Sequence, residues 1–269
     1  MGPQRLRRVS SRQNPLVKDL RRAFQQGEPT AEGDAAIESV HLIEEAIRSG
    51  LRFRAVFFSQ SAQSRAERLL PQLSTHVETV LLPDEVFQSA VATETPQGVA
   101  ALVRLKQHQL DDVLAVAEPL LVVCAGLQDP GNLGTIVRSA EAFDAAGVLL
   151  VEGTVSPFNP KVVRAAAGSM FRLPVVRVEL HSALDQLRER GVRLLATSSH
   201  KGTPLHEASL TGPVALFIGN EGAGLSRELL RQMEQTVAIP HSPRVESLNA
   251  GVAASIVLYE AARQRRSTG

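Results

Sequence analysis

Cysteine and the large aromatic residues are scarce in this chain of 269 residues. It has one cysteine, Cys124, no tryptophan and one tyrosine, and aromatic residues make up 4% of the chain. A single cysteine excludes an internal disulfide and a zinc site of several thiolates, and it fits a reducing compartment. The low aromatic content argues against a site that stacks extensively on single-stranded bases.

Three further patterns are missing. No stretch approaches the roughly 20 consecutive apolar residues of a membrane span, so we expect no membrane partner. The seven histidines are scattered without the HxxxH spacing of a helical zinc site, so we expect no metal. Neither GxGxxG nor GxxxxGK[ST] occurs, which argues against a small-molecule enzyme with a Rossmann or P-loop nucleotide site.

Charge is balanced over the chain but not along it. Lys and Arg total 29 against 28 Asp and Glu. The first 22 residues contain one acid, Asp19, and a group of basic residues: Arg5, Arg7, Arg8, Arg12, Lys18, Arg21 and Arg22. Such a segment suits phosphate groups, but a solvated amphipathic helix or an organelle-targeting segment has the same composition.

The sequence patterns divide the chain near residues 105–118. Before that point, helical patterns such as "NPLVKDLRRAFQQ" alternate with strand patterns such as "FRAVFFS", which predicts a small α/β module. After Pro119, helical stretches separate six apolar runs: "LLVVCAG", "GVLLVEG", "PVVRVEL", "VRLLATS", "VALFIGN" and "TVAIP". These runs predict an α/β domain with a mostly parallel sheet, whose ligands gather at the carboxyl ends of its strands.

The stretch "DPGNLGTIVRSAEAF" leads from the first of these runs into a helix. One face of that helix collects its apolar residues, Leu133, Ile136, Val137, Ala140 and Phe143. Arg138 points nearly opposite, as a solvated side chain or toward a site. Asn132 stands near the helix start, where an N-cap role is the simplest explanation.

Two other stretches follow strands at the same predicted edge. In "LFIGNEGAGLSRELL", the glycines let the backbone approach a ligand closely. Ser226 could cap the helix that follows, and Glu221 could interact favourably with the N-terminal end of that helix through its dipole. In "IPHSPRVESLNAGVAASIVLYE", Ser247 could cap a helix that opens with small residues after Asn249. Small residues allow another backbone or helix to come very close.

In order and spacing, these three stretches resemble the SpoU (TrmH-like) branch of the SPOUT RNA methyltransferases, in the two-domain group that methylates a ribose 2′-hydroxyl. Upstream, "SSRQNPLVKDLRRAF", "ESVHLIEEAIRSG" and "TPQGVAALVR" resemble the L30e-like substrate-binding domain of that group. The chain departs from its relatives at Ser39, where they usually have Gly, and at Arg244, where small residues are frequent.

The resemblance implies an organisation and a function. The L30e-like domain spans 1–107, a linker 108–118, and a SPOUT domain with a parallel sheet and a trefoil knot 119–269. The expected activity is S-adenosylmethionine-dependent methylation of structured RNA, ribosomal rather than transfer RNA, by a cytoplasmic homodimer. A transfer RNA 2′-O-methyltransferase and a non-catalytic RNA-binding protein are the alternatives.

The resemblance also implies site residues. The catalytic ones are Asn132, Arg138, Glu221, Ser247 and Asn249. The cofactor-binding ones are Thr197, Ser198, Gly219, Ile239 and Leu248. Because a guanidinium group is a poor base, Arg138 is either a strongly perturbed base or a phosphate clamp and electrostatic activator. Lys161 and Arg164 either grip RNA phosphates or form a solvated helix face.

The final helix predicts assembly, because it has two apolar faces. We expect Val252, Ile256 and Tyr259 to face the core of their own domain. A second, small-residue surface then remains for a two-fold partner, and it consists of Gly251, Ala254, Ser255 and Leu258.

Overall fold

The computed structural model describes residues 6–199 and 201–267, so Arg5 of the basic segment lies outside the described residues. The chain folds into two compact units. One runs up to Lys106 and also includes Phe158–Arg164, and the other contains Gln107–Pro157 and the chain from Ala165 onward. The sequence patterns gave no sign that Phe158–Arg164 belongs to the first unit.

Within the described residues, the first unit has a five-stranded sheet in the order β1-β4-β3-β5-β2. The strands are β1 (Arg7–Arg8), β2 (Asp34–Glu38), β3 (Arg52–Ser59), β4 (Glu78–Leu82) and β5 (Val99–Arg104). β1, β4 and β3 are parallel, and β5 runs antiparallel to β3 and β2. The helices are α1 (Pro15–Gln26), α2 (Val40–Arg48), α3 (Gln63–Leu69) and α4 (Asp84–Gln88).

Helix α1 shows how local sequence sets these elements. The side chain of Asn14 accepts a hydrogen bond from the Leu16 N–H at 3.0 Å, and Pro15 follows at the first helical position. Gly27, with φ 61°, ends the helix in the left-handed region. Its buried stripe includes Leu20 and Phe24, and burial of such side chains stabilises the fold by about 1.5–3 kcal/mol each.

A buried carboxylate organises one edge of this sheet. The side chain of Asp34, at the start of β2, is only 3% exposed. Its Oδ1 lies 3.0 Å from Nε of Arg104, and its Oδ2 lies 3.5 Å from Nη1 of Arg54. Arg54 also pairs with the exposed carboxylate of Glu32 at 3.0 Å. Asp34 therefore pairs with two arginines that neighbouring strands bring together.

The second unit has a seven-stranded sheet in the order β10-β12-β9-β11-β6-β7-β8, and all of its pairs are parallel. The strands are β6 (Leu120–Cys124), β7 (Gly147–Val151), β8 (Val175–Val178), β9 (Arg193–Ser198), β10 (Thr203–Pro204), β11 (Val214–Ile218) and β12 (Gln235–Ala238). Six of them are the six apolar runs of the sequence, which confirms the predicted α/β fold with a parallel sheet. Only the two-residue β10 was not predicted.

The remaining helices follow the order of the chain. They are α5 (Leu110–Leu114), α6 (Pro130–Ala142), α7 (Pro160–Ala166), α8 (Leu180–Glu189), α9 (Arg227–Leu230) and α10 (Ala250–Ser267). α5 falls within the expected linker, yet Leu110, Val113 and Leu114 are buried in the core of the second unit beside Leu184 and Leu187. No helix of the described chain is long and apolar enough to cross a membrane.

The expected orientation of α10 is wrong. Its small face packs against α6 of the same chain: Ser255 and Ser139 are hydrogen-bonded at 2.7 Å, and a Cβ on Gly251 would lie 3.1 Å from the side chain of Thr135. Ala254 and Leu258 on the same face are also buried. Small side chains let the two helices approach closely. The small-residue face of α10 is therefore buried against α6 of the same chain.

The larger apolar side chains of α10 remain outside. Val252, Ile256 and Tyr259 are 48%, 37% and 57% exposed. Phe143, which follows α6, contacts Tyr259 edge to face, with the ring centroids 5.8 Å apart. These four residues form a patch, called here the α10 patch. Larger exposed apolar patches on proteins occur at interaction sites.

Candidate active site

The predicted site residues lie at one edge of the parallel sheet. Cys124 at the end of β6 is in register with Ile218 at the end of β11, and Ser198 of β9 is in register with Ala238 of β12. Because these strands run in the same direction, the loops that follow them leave from the same edge. The sheet thus gathers the three sequence stretches singled out above.

Asn132, Glu221 and Asn249 form a hydrogen-bonded network across these loops. The buried side chain of Asn132 donates from Nδ2 to Oε1 of Glu221 at 3.1 Å. Its Oδ1 accepts from Nδ2 of Asn249 at 2.8 Å, and Oδ1 of Asn249 accepts from the Val252 N–H at 3.1 Å. A carboxylate only accepts and a backbone N–H only donates, so both amide orientations are determined. Three of the five predicted catalytic residues therefore meet.

The helix caps near this network differ from the simplest explanations of the sequence. Asp129 caps α6 by accepting from the Asn132 N–H at 2.8 Å, which leaves the Asn132 side chain for Glu221. Asn249, rather than Ser247, caps α10 through its bond from Val252. Ser226 caps α9 as predicted, accepting from the Leu229 N–H at 3.1 Å.

Glu221 is held by backbone as well as by Asn132. The N–H groups of Gln128 and Asp129 donate to its carboxylate at 3.2 and 2.9 Å. Partial burial alone would raise the pKa of Glu221, but the hydrogen bonds from Asp129, Asn132 and Gln128 outweigh burial and lower the pKa below its ordinary value. Glu221 is therefore a carboxylate at neutral pH. It orients Asn132, rather than acting only as a favourable charge at the N-terminus of α9.

Cys124 ends β6 at the same edge but takes no part in ionic chemistry. Complete burial raises the pKa of its thiol to about 12, and the negative charge of Glu221 acts in the same direction. The thiol stays protonated near neutral pH and cannot act as a nucleophile. In the described part of the chain, no group of three His, Cys, Asp or Glu side chains is placed to hold a metal ion.

Arg138 and Ser247 lie apart from the network. Arg138 is exposed on α6, six residues after Asn132, and the helical repeat turns the two side chains to different faces. Ser247 is exposed in the loop between β12 and α10. Among the described residues, neither side chain has a hydrogen bond or an ion pair. A single chain therefore does not assemble all five predicted catalytic residues.

The predicted cofactor residues surround the same edge, and all are half-buried. Thr197 and Ser198 end β9, Gly219 follows β11, Ile239 follows β12, and Leu248 lies in the loop before α10. The Thr197 hydroxyl donates to the Phe217 carbonyl at 3.0 Å, so it ties β9 to β11 and keeps only acceptor capacity for a ligand. The Ser198 hydroxyl accepts from the Lys201 N–H at 3.3 Å.

Gly219 has no room for a side chain. A Cβ there would lie 2.3 Å from the carbonyl carbon of Gly224. The close approach arises because Asn220 and Gly224 exchange backbone hydrogen bonds of 3.1 and 2.9 Å, which close the turn. Glycine therefore leaves main chain bare at the end of β11, which fits a cofactor bound largely through backbone groups.

Three residues of this site were missed from the sequence. Asp129 directly precedes Pro130, the signature of an N-cap followed by proline, so that pattern could have identified it. Thr154 accepts from the Gly126 N–H at 3.1 Å, and Asn220 donates to the Gly126 carbonyl at 3.0 Å. Both contacts join loops far apart in the sequence, and no local pattern reveals them.

Two family profiles match the chain. The SpoU rRNA Methylase family matches residues 119–259, and the MRM3-like substrate binding domain matches residues 14–101. Two of the similar solved structures align with nearly the whole chain. The AdoMet-bound rRNA methyltransferase from Sinorhizobium meliloti has a TM-score of 0.83 and 28% identity, covering 96% of this chain and 98% of that one. The SpoU methyltransferase AviRb from Streptomyces viridochromogenes, in complex with AdoMet, has a TM-score of 0.82 and 28% identity, covering 96% and 100%.

Curated relatives agree with these matches. The 23S rRNA (guanosine(2553)-2'-O)-methyltransferase RlmP of Bacillus subtilis is 35% identical over 94% of this chain and 98% of its own length. The 23S rRNA (uridine(2479)-2'-O)-methyltransferase of Streptomyces viridochromogenes is 31% identical over 97% and 93%. With a family profile over more than half of the chain and relatives aligned over nearly their full length, the chain belongs to the SpoU rRNA methylase family.

Proposed function

We propose that this protein is an enzyme that transfers a methyl group from S-adenosylmethionine to a ribose 2′-hydroxyl of ribosomal RNA. The observation that carries the proposal is the Asn132–Glu221–Asn249 network at the carboxyl edge of the parallel sheet. The relatives support it, because two of them are named as 23S rRNA 2′-O-methyltransferases. Neighbouring structures bound to AdoMet support the choice of methyl donor.

The network positions an amide for the ribose. S-adenosylmethionine supplies a methyl group activated by a sulfonium, so the enzyme mainly has to align and desolvate the attacking oxygen. Glu221 fixes the amide of Asn132, and Asn132 fixes the amide of Asn249. Nδ2 of Asn249 carries a second N–H, which we assign to the ribose oxygen. Gly219, Ile239 and Leu248 hold the cofactor through backbone groups, with Thr197 and Ser198 beside them.

We also propose that the enzyme is a homodimer whose two copies meet at the α10 patch. A single chain leaves Arg138 and Ser247 outside the network and leaves Val252, Ile256 and Tyr259 exposed. Arg138 lies on the exposed side of α6, which packs on α10 through Thr135 and Ser139. A two-fold partner over this surface buries the patch and brings Arg138 to the interface. Because a guanidinium group keeps its proton, we assign Arg138 to electrostatic activation and phosphate binding.

The first unit is assigned to RNA binding. Arg8, Arg12, Lys18 and Arg22 are exposed on it, which supports an electrostatic contact with phosphates. Lys161 is also exposed, whereas Arg164 already donates to the Thr93 hydroxyl at 3.3 Å. We propose an L30e-like domain over 1–107, a connecting segment over 108–118 whose helix α5 packs into the catalytic domain, and a catalytic domain over 119–269 that contains a trefoil knot. We also propose that the enzyme acts in the cytoplasm, and a ribosomal RNA substrate supports this.

The test is incubation with methyl-labelled S-adenosylmethionine and RNA from cells that lack this protein. Ribosomal and transfer RNA are supplied separately, and the modified nucleotide is mapped. We expect one 2′-O-methylated nucleotide in ribosomal RNA and none in transfer RNA. Asn249→Ala should abolish incorporation while the protein stays folded. Label in transfer RNA alone would support the transfer RNA alternative, and no label in either RNA would support a non-catalytic RNA-binding protein.

A further inference from the structure

The side chain of Asn220 joins two loops of the site. Its Nδ2 donates to the Gly126 carbonyl at 3.0 Å, in the loop between β6 and α6. Its Oδ1 accepts from the N–H groups of Gly222 and Ala223 at 2.9 and 3.1 Å, in its own loop after β11. A half-buried amide that makes three bonds of this kind fixes the two loops against each other.

The partners of the β6–α6 loop show why this contact matters. The Gly126 N–H donates to the Thr154 hydroxyl at 3.1 Å, and the Leu127 carbonyl accepts from the Val155 N–H at 2.8 Å. These bonds hold the loop from the side of β7. On the side of β11, Asn220 supplies the bond to the Gly126 carbonyl, and Glu221 accepts from the Gln128 and Asp129 N–H groups. The loop is therefore clamped between two neighbours.

We propose that Asn220 is a positioning residue for the methyl transfer. By fixing the β6–α6 loop to the loop after β11, it sets the separation between Glu221 and the three groups that donate to it. That separation orients Asn132 and, through Asn132, the amide of Asn249. The inference rests on the proposed function for its effect on catalysis and on geometry alone for its effect on the loop.

An aspartate at this position distinguishes positioning from general stability. Asn220→Asp keeps nearly the same shape and the acceptor for Gly222 and Ala223, but it places a carboxylate oxygen opposite the Gly126 carbonyl oxygen. It also adds a negative charge next to Glu221. The Gly126 carbonyl and Glu221 favour the protonated form of the new carboxyl, whereas the Gly222 and Ala223 N–H groups favour the carboxylate. Once protonated, its O–H can donate to Gly126 and restore the lost bond. The defect should therefore shrink as the pH falls.

The first experiment compares the pH profiles of kcat for the full-length wild type and Asn220→Asp on ribosomal RNA. At pH 8 we expect a loss of roughly 10–100-fold, since small misplacements of catalytic groups have effects of this size. The loss should become smaller toward pH 5.5. The matched control is Asn159→Asp, because the Asn159 side chain accepts from the Lys161 N–H at a helix start, a position where Asn and Asp are equivalent. It should leave kcat and its pH dependence unchanged.

The second experiment needs neither RNA nor cofactor. Amide hydrogen exchange is measured on peptides that cover Gly126–Asp129 in the full-length chain, and Asn220→Asp should exchange at least roughly tenfold faster there. If Asn220→Asp does not fold, Asn220→Ser serves instead. Its shorter side chain cannot reach Gly126, so kcat and protection should fall at every pH.

The outcomes separate this inference from the proposed function. Wild-type kcat in both variants, an equal loss at every pH in folded Asn220→Asp, or unchanged protection of Gly126–Asp129 would overturn the role of Asn220. A wild-type protein that methylates neither RNA, while its loop still loosens in Asn220→Asp, would instead overturn the proposed function.

Discussion

Ser39 adopts a backbone conformation that glycine reaches without strain. Its φ is 111°, and its hydroxyl caps α2 by accepting from the Leu42 N–H at 3.2 Å. Ser39→Gly should relieve about 1–3 kcal/mol of backbone strain. Two smaller effects oppose this gain. The loss of the cap costs a few tenths of a kcal/mol, and glycine raises the chain entropy of the unfolded state. We expect a net gain of about 0.5–1 kcal/mol in the free energy of unfolding, measured in urea. Ser39→Ala loses the cap and keeps the strain, so its free energy of unfolding should fall by about 1 kcal/mol. Equal losses of stability in the Gly and Ala variants would show that Ser39 is not strained.

The lowered pKa of Glu221 predicts how stability depends on pH. A carboxyl whose pKa is lower in the folded than in the unfolded protein contributes stability above the ordinary pKa, about 4.3 for Glu. That contribution disappears as the pH falls through the folded value. We expect the wild type to lose stability below about pH 4.3 more steeply than Glu221→Gln, which has no proton to bind at this position. Unfolding midpoints from pH 6 to pH 3 measure the difference, and parallel curves would count against it.

At this scale the sequence identified residue types better than their partners. The resemblance named Asn132, Glu221 and Asn249, and the structure joins them. Their bonds connect residues roughly 90 to 120 positions apart, so helical spacing and capping rules cannot predict them. Those local rules predicted Asn132 as the cap of α6 and Ser247 as the cap of α10. The free N–H groups are instead bound by Asp129 and Asn249, which are better placed to accept them.

On the scale of elements, α10 shows what periodicity leaves open. The spacing of its residues correctly predicts two apolar faces, since periodicity fixes the angles between side chains. It does not say which face turns inward. The choice follows from the facing helix: Thr135 and Ser139 of α6 leave room only for a small-residue surface such as Gly251 and Ser255.

The proposed dimer is tested on the exposed face of α10. Val252→Asp places a charge in the α10 patch, and we expect monomers at micromolar concentration in light scattering, with loss of methyl transfer because Arg138 no longer reaches a site. Val116→Asp is the matched control, since Val116 is also 48% exposed but lies outside the patch. Arg at Ala254 would not test the interface, because Ala254 is buried within the chain. A monomeric wild type would refute the dimer.

Arg54, at the edge of the first sheet, pairs with three carboxylates that differ in burial, those of Asp19, Glu32 and Asp34. Asp34 is buried and Glu32 is exposed, and both pair with Arg54. We expect Asp34→Ala to lower the free energy of unfolding by about 2–3 kcal/mol, since Arg104 and Arg54 lose a desolvated partner. Glu32→Ala should cost less than about 0.5 kcal/mol, because water screens an exposed pair. Urea unfolding followed by circular dichroism measures both, and similar losses would show that burial does not matter here.

For the whole molecule, net charge is a poor guide to partners because the cations are unevenly distributed. If Arg12 and Arg22 contact RNA phosphates, the affinity for ribosomal RNA should fall as the salt concentration rises. Replacing both by Ala should reduce the slope of log affinity against log salt concentration by about 1–2. Replacing Arg188 and Arg231, in the second unit, by Ala should leave this slope unchanged. Binding titrations between low and physiological salt provide the measurement. A slope unchanged by Arg12→Ala and Arg22→Ala would make the basic segment a solvated surface.

Domain organisation was predictable in outline only. Apolar runs and a change of pattern predict a division near residues 105–118, and the two compact units divide between Lys106 and Gln107. The short α5 and the segment Phe158–Arg164 have too few residues for a periodic signal, so their packing could not be read from the sequence. Both depend on contacts with residues far along the chain.

The strand order of the second unit also has a consequence for synthesis on the ribosome. β6 is the first strand of its sheet to be translated, yet it lies between β11 and β7. Its edge toward β7 can pair early, but its other edge stays open until Ile218 has been translated. During that interval an apolar strand edge is available to other chains, which is an aggregation hazard. We therefore expect the second unit to complete its core only late in translation, and slow elongation before β11 to lower the yield of folded protein.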